Sequence, residues 1–187
     1  MALIRSVFQE ELDGVSQSLV DLAQMVSDSI HKATQSLISA DIQLAEEVIS
    51  YDGKIDNYQH ELDSRIIDII ARQQPVASDL RALVTALRMS ADLERMGDLA
   101  HHIAKVARLR HPNSAVPNEL HDTIRQMGIV AENIARKVAT VIESRNTLIA
   151  LEVLKSLHDA IYPSRRHLFL LQVQLKCYEI QSQWQLF

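Results

Sequence analysis

The chain has 187 residues, a formal charge of −5, a pI near 5.9, 47% hydrophobic residues and only 4% aromatic ones. The acidic balance argues against a general nucleic-acid binder, which needs a basic face, and the poverty in aromatics argues against sandwiches and barrels. A single cysteine, Cys177, excludes an intrachain disulfide and every thiolate zinc motif.

The first residues, MALIRSVFQEEL, carry acids early and lack the apolar core of a signal peptide. No run approaches the ~20 apolar residues of a spanning helix. A soluble, cytoplasmic protein without membrane insertion is expected. Leu12, Val15, Leu19, Leu22, Val26, Ile30, Ala33 and Leu37 recur at steps of three and four, which predicts one apolar face of a long helix. Asp41, after SLISA, is placed to cap the next helix. Its stripe is Val48, Asp52, Ile55, Gln59, Leu62, Ile66 and Ile69, and Pro75 ends it, because a residue before proline disfavours the helical region.

Ser78 is the expected cap of a third helix. That helix has two apolar faces, Leu80–Leu83–Leu87–Ala91 and Met89–Leu93–Met96–Ala100–Ile103, so two neighbours are expected. RHPNSAVP, residues 110–117, reads as a linker. Leu120, Ile124, Met127, Ala131, Ile134, Val138 and Val141 then predict a fourth helix. Helices of roughly 30 residues are about 45 Å long and bury their stripes against one another. The expected fold is all-α: a three-helix bundle over 1–109, a linker over 110–117 and a partial second bundle over 118–187.

The second bundle is expected because the chain repeats itself. A shift of 105 residues lays Leu19 on Ile124, Leu22 on Met127, Ala33 on Val138, Ser39 on Ser144 and Glu47 on Glu152, and sets SAD against SRN. The copy then diverges: Asp52 falls on Leu157 and Asp56 on Ile161, and Pro163 is incompatible with a helix interior. In the tail, Val173, Leu175 and Cys177 alternate as in a strand.

Two acid pairs interrupt the apolar pattern. Asp52 and Asp56 stand four apart on the second helix, Glu94 and Asp98 four apart on the third. That spacing puts each pair on one helical face, where like charges repel unless a cation bridges them. Half-buried carboxylates are disfavoured unless paired or metal-bound. Paired oxygen donors on adjacent helices suit hard cations or clustered iron or manganese. His101, three beyond Asp98, can add a nitrogen ligand. The plain alternative is a solvated acidic edge, with His101 and His102 as surface residues. His31, His60, His111 and His121 are read as surface histidines. Gly53 and Gly97, each beside an acid in a helix, suggest close helix approach, a bound ion or simple packing.

Two tandem bundles, DGKID (52–56), and DLERMGDLAHHIA (92–104) together resemble the PhoU family, over Met1 to about Ser156. The resemblance implies a non-enzymatic cytoplasmic accessory of the phosphate-specific ABC transporter and a negative regulator of phosphate-starvation signalling. The implied partners are the transporter's ATPase subunit and a membrane sensor histidine kinase. It also implies a homodimer and clustered metal, iron or zinc, on Asp52, Asp56, Glu94 and Asp98; magnesium or manganese also suits the oxygen donors. His101 adds to the family pattern. With Leu157 and Ile161 in place of acids, one metal site is expected instead of two, with self-association through the unfinished bundle's apolar stripes. Two rivals stand beside this reading. A ferritin-like di-metal protein needs two Glu-x-x-His helices, whereas this chain has no Glu-x-x-His, and Asp98 and His101 form an Asp-x-x-His instead. A purely structural bundle would leave both acid pairs solvated.

Overall fold

The computed structural model describes residues 2–161, and every regular element among them is helical. α1 spans Ala2–Ser39, α2 Ile42–Gln73, α3 Ala77–Arg110, α4 His121–Ser144 and α5 Thr147–Ile161, with one 3-10 turn at Asn118–Leu120. The alternating tail around Cys177 and the Pro163 break lie outside the described residues, as do the side chains of Leu157 and Ile161.

α1, α2 and α3 pack against one another in all three pairings. The α2 stripe is buried as its periodicity requires, with Val48, Ile55, Gln59, Leu62, Ile66 and Ile69 inside and Asp52 half-buried among them. Burying each of the larger aliphatic side chains stabilises the bundle by roughly 1.5–3 kcal/mol. Asp41 caps α2 as expected, accepting a hydrogen bond from the Leu44 amide at 3.0 Å. Ser78 does not cap α3. The helix starts at Ala77 after an extended Val76, with no side-chain cap, because it begins two residues earlier than a Ser78 cap would require, which puts Ser78 inside the first turn.

α1 departs from the single face expected of it. Val20, Ala23 and Ser27 are buried beside the predicted stripe of Val15, Leu19, Leu22 and Val26. The reason is position: α1 touches α2, α3 and also α4, so it is covered nearly all round. On α3 the second predicted face is buried from Met89 to Ala100, whereas the first is mixed: Leu83 is buried and Leu87 half-buried, but Leu80 and Ala91 are exposed. Leu120 is exposed in the 3-10 turn instead of opening the α4 stripe.

α4 runs antiparallel to α1. Arg145 reaches Asp13, Ser27 hydrogen-bonds the Glu132 carbonyl at 3.3 Å, and Gly128 lies against Thr34. Ser27 and Glu132 are themselves separated by the 105-residue repeat, so equivalent positions of the two copies meet there and a local twofold relates α1 to α4. The repeat extends to the turns. Ala40 and Arg145, one repeat apart, both adopt left-handed backbone, with φ of 52° and 50°. The residues after them, Asp41 and Asn146, both cap the following helix through a side-chain oxygen.

Candidate metal site on the α2–α3 seam

The two acid pairs lie on different helices, and their meeting depends on how α2 and α3 are docked. Gly97 sets the distance. A Cβ there would sit 3.2 Å from both Ile55 Cδ1 and Ile55 Cγ2, so the bare backbone of α3 closes onto α2 beside the acids. Gly53 has no such role: its Cβ would meet nothing within 4 Å.

The docking brings Asp52, Asp98 and His101 together, with one ligand atom from each inside a mutual separation of 4.8 Å. Asp52 and His101 are 12% and 16% exposed at the side chain, and His101 Nδ1 is in close contact with Asp52 Oδ2. Donation from Nδ1–H to a carboxylate leaves Nε2 as a lone-pair donor, the arrangement that orients imidazoles toward metals. His101 Nε2 is buried with no hydrogen-bond partner among the described residues, and so is Asp56 Oδ1.

Asp56 and Glu94 complete the set electrostatically. Burial pushes the Asp56 carboxyl up from its ordinary value, and the charges of Asp52 and Asp98 push it further. Glu94 is raised by burial first, then by Asp98, Asp56 and Asp52, with Arg95 opposing. All four carboxylates therefore share one field. Such mutual repulsion, with orphaned polar atoms inside it, is relieved by a cation, and the donor set of carboxylate oxygens and one imidazole fits one.

The remaining histidines divide by location. His31 is about half exposed and finds its acid, Glu132, across the α1–α4 seam at 2.8 Å. His102 and His60 are exposed, each donating from Nδ1 to the carbonyl four residues back, of Asp98 and Asp56. His60 nonetheless lies close enough to Asp56 to lower its carboxyl. In the sequence this shows only as a spacing of four, from Asp56 to His60. Asp92, in the same acidic stretch as Glu94, is buried on a different azimuth of α3.

The sequence model for the PhoU domain matches residues 19–107, which span the α1–α3 bundle and this seam. The phosphate-specific transport system accessory protein PhoU homolog 2 of Mycobacterium tuberculosis is 37% identical over 166 residues, covering 89% of this chain and 78% of that protein. The chain belongs to the PhoU family. The PhoU homolog of Aquifex aeolicus is 35% identical over 147 residues, 78% of this chain and 65% of its own. Among solved structures, PhoU of Streptococcus pneumoniae superposes with a TM-score of 0.76 at 22% identity, covering 96% of this chain and 94% of that one. PhoU of Pseudomonas aeruginosa gives 0.69 at 23% identity, covering 96% and 92%. At these identities the two superpositions speak for the fold: the chain is a PhoU-type all-α bundle.

Proposed function

We propose that this protein is a non-enzymatic regulatory adaptor of phosphate uptake and phosphate-starvation signalling. It works in the cytoplasm by binding the ATPase subunit of a phosphate ABC transporter and a membrane sensor histidine kinase, and it self-associates. Membership of the PhoU family supports this reading, since its relatives are named as phosphate-specific transport accessory proteins. No helix among the described residues is long and apolar enough to cross a membrane, which suits an adaptor that meets membrane proteins at their soluble faces.

The second half of the proposal is a cation site made by Asp52, Asp56, Glu94, Asp98 and His101. The observation that carries it is the pair of buried, unpartnered ligand atoms, Asp56 Oδ1 and His101 Nε2, within one acidic cluster. Bound there, a cation would neutralise the repulsion and tie α2 to α3. Iron or zinc suits the mixed oxygen and nitrogen donors, and magnesium or manganese suits the oxygens alone. A ferritin-like oxidase is disfavoured because the sequence contains no Glu-x-x-His. A purely structural bundle is disfavoured by the orphaned atoms.

The test is elemental analysis of the purified protein after chelation and reconstitution, beside an Asp56→Ala, Asp98→Ala double variant. Wild type is expected to retain metal in simple stoichiometry and the variant none. Equal, negligible metal in both would leave only the protein-binding half. That half is tested separately by co-purification with the ATPase subunit and by expression of phosphate-starvation genes in a deletion strain complemented with this chain.

A further inference from the structure

Outside the five candidate ligands, the α2–α3 seam holds a second polar cluster. Ser90 on α3 is completely buried, and its hydroxyl donates to Asp63 Oδ1 on α2 at 2.5 Å. The same oxygen lies 2.8 Å from the Leu87 carbonyl, but one proton serves one acceptor well, and the short contact to a carboxylate is in the charge-assisted range. Gln59, also buried, donates from Nε2 to the other Asp63 oxygen at 2.5 Å. Both oxygens of Asp63 are thus engaged, one across the seam and one along α2.

The position of this cluster is informative. Asp52 meets His101, and Asp63 meets Ser90. The two α2 members are eleven residues apart, and so are the two α3 members. Eleven residues make about three turns, or about 16 Å, so both crosslinks lie on the same faces and specify one register. Apolar contacts between them, such as Ile55 against Gly97, are not directional and tolerate sliding. A slip of α3 by one turn would bring Ala86 or Leu87 opposite Asp63 in place of Ser90 and deprive a half-buried carboxylate of its hydroxyl.

We infer that Asp63, Ser90 and Gln59 form a register pin that holds α2 and α3 with Asp52 and Asp56 facing Glu94, Asp98 and His101. Their link to cation binding rests on the metal reading above; the pin itself does not. Asp63 and Ser90 are positioning residues. They act against the mutual repulsion of the acids along the seam.

Two readouts test this. Titration with manganese(II) or zinc(II) is expected to show affinity about tenfold weaker in Ser90→Ala, the scale typical of groups that orient ligands from behind. Asp63→Asn, which keeps an oxygen for Ser90, is expected to stay within about threefold of wild type. Ile134→Val on α4, a core substitution away from the seam, controls for plain destabilisation. An affinity loss in Ser90→Ala no larger than in Ile134→Val overturns the link to the site. The second readout needs no metal. Spin labels at Ser50 and Val106, both exposed at the acidic end, in a Cys177→Ser background and with chelator present, report the distance between α2 and α3. Wild type is expected to give one narrow distance, and Ser90→Ala a broad distribution or a second distance shifted by up to about 5 Å, one helical turn. Unchanged distances in Ser90→Ala overturn the pin, whatever its affinity. If wild type binds neither cation, the metal reading falls, and the distances alone decide the pin.

Discussion

The α1–α4 and α2–α3 seams are both antiparallel helix pairs carrying ionised residues, and they treat charge in opposite ways. Along α1–α4 acids meet basic partners: Glu132 contacts His31 and Arg136, and Asp13 contacts Arg145. Along α2–α3 Asp52 and Asp98 gather around His101, the charges of Asp56 and Glu94 act on the same group, and Asp56 Oδ1 and His101 Nε2 are buried with no hydrogen-bond partner among the described residues. Both seams use a glycine for close approach, Gly128 against Thr34 and Gly97 against Ile55. Close packing is therefore common to both, and the unbalanced charge is what separates them. A seam that balances its own charges is complete as a structure. One that does not is where the cation proposed above would act.

The sharpest way to break this contrast is to withhold the proposed cation. A ligand present at a hundred times its dissociation constant stabilises by about 2.7 kcal/mol. In a chain of this size that corresponds to roughly 5–10 °C of Tm. Chelation is expected to lower the Tm of wild type by this amount and to leave that of the Asp56→Ala, Asp98→Ala variant unmoved. Equal melting curves with and without chelator would return the α2–α3 seam to the status of its neighbour.

Next in size, Gly97→Val and Gly128→Val should each destabilise by about 1–3 kcal/mol through overpacking. Denaturant unfolding will not tell them apart, but cation titration should: Gly97→Val is expected to lose affinity and Gly128→Val to keep it. Gly53→Ala works in the other direction. With open space around its Cβ, it is expected to stabilise by about 0.5–1 kcal/mol, as alanine does for glycine in a helix interior.

A smaller effect tests the charge imbalance without metal. Burial and the neighbouring acids raise the Asp56 carboxyl in the folded state, so ionising it opposes folding at neutral pH. That penalty disappears as pH falls through the raised folded value toward the unfolded value of about 3.9. In chelator, Asp56→Asn is expected to melt above wild type at pH 7, with the gap closing on acidification. A gap that widens toward low pH would give Asp56 a favourable partner instead. The smallest effect belongs to the balanced seam: Arg145→Ala breaks an exposed ion pair with Asp13 and should cost under about 1 kcal/mol.

Much of this was legible in the residues. The α2 stripe, the Asp41 cap, the repeat and the placement of each acid pair on one face are local facts, fixed by a period of 3.6 residues and a 1.5 Å rise. The second face of α1 was harder to read, since Val20, Ala23 and Ser27 make a small, partly polar stripe that becomes core only because α4 covers it. His31 has Asp28 at helical spacing, yet the acid it contacts is Glu132, 101 residues away on another helix. Ser90 and Asp63 were invisible for the same reason, a serine and an aspartate of ordinary appearance on separate helices.

By itself the sequence determined the helices, their turns, the family and the azimuth of each carboxylate on its own helix. Only the tertiary structure decided that the two acid pairs face each other, that His101 joins them while His102 stays outside, and that Ser90 reaches Asp63. Periodicity fixes where a side chain points around one helix axis. How two helices meet depends on contacts between residues far apart in the chain: here Gly97 closes on Ile55, and Ser90 hydrogen-bonds Asp63 across the seam.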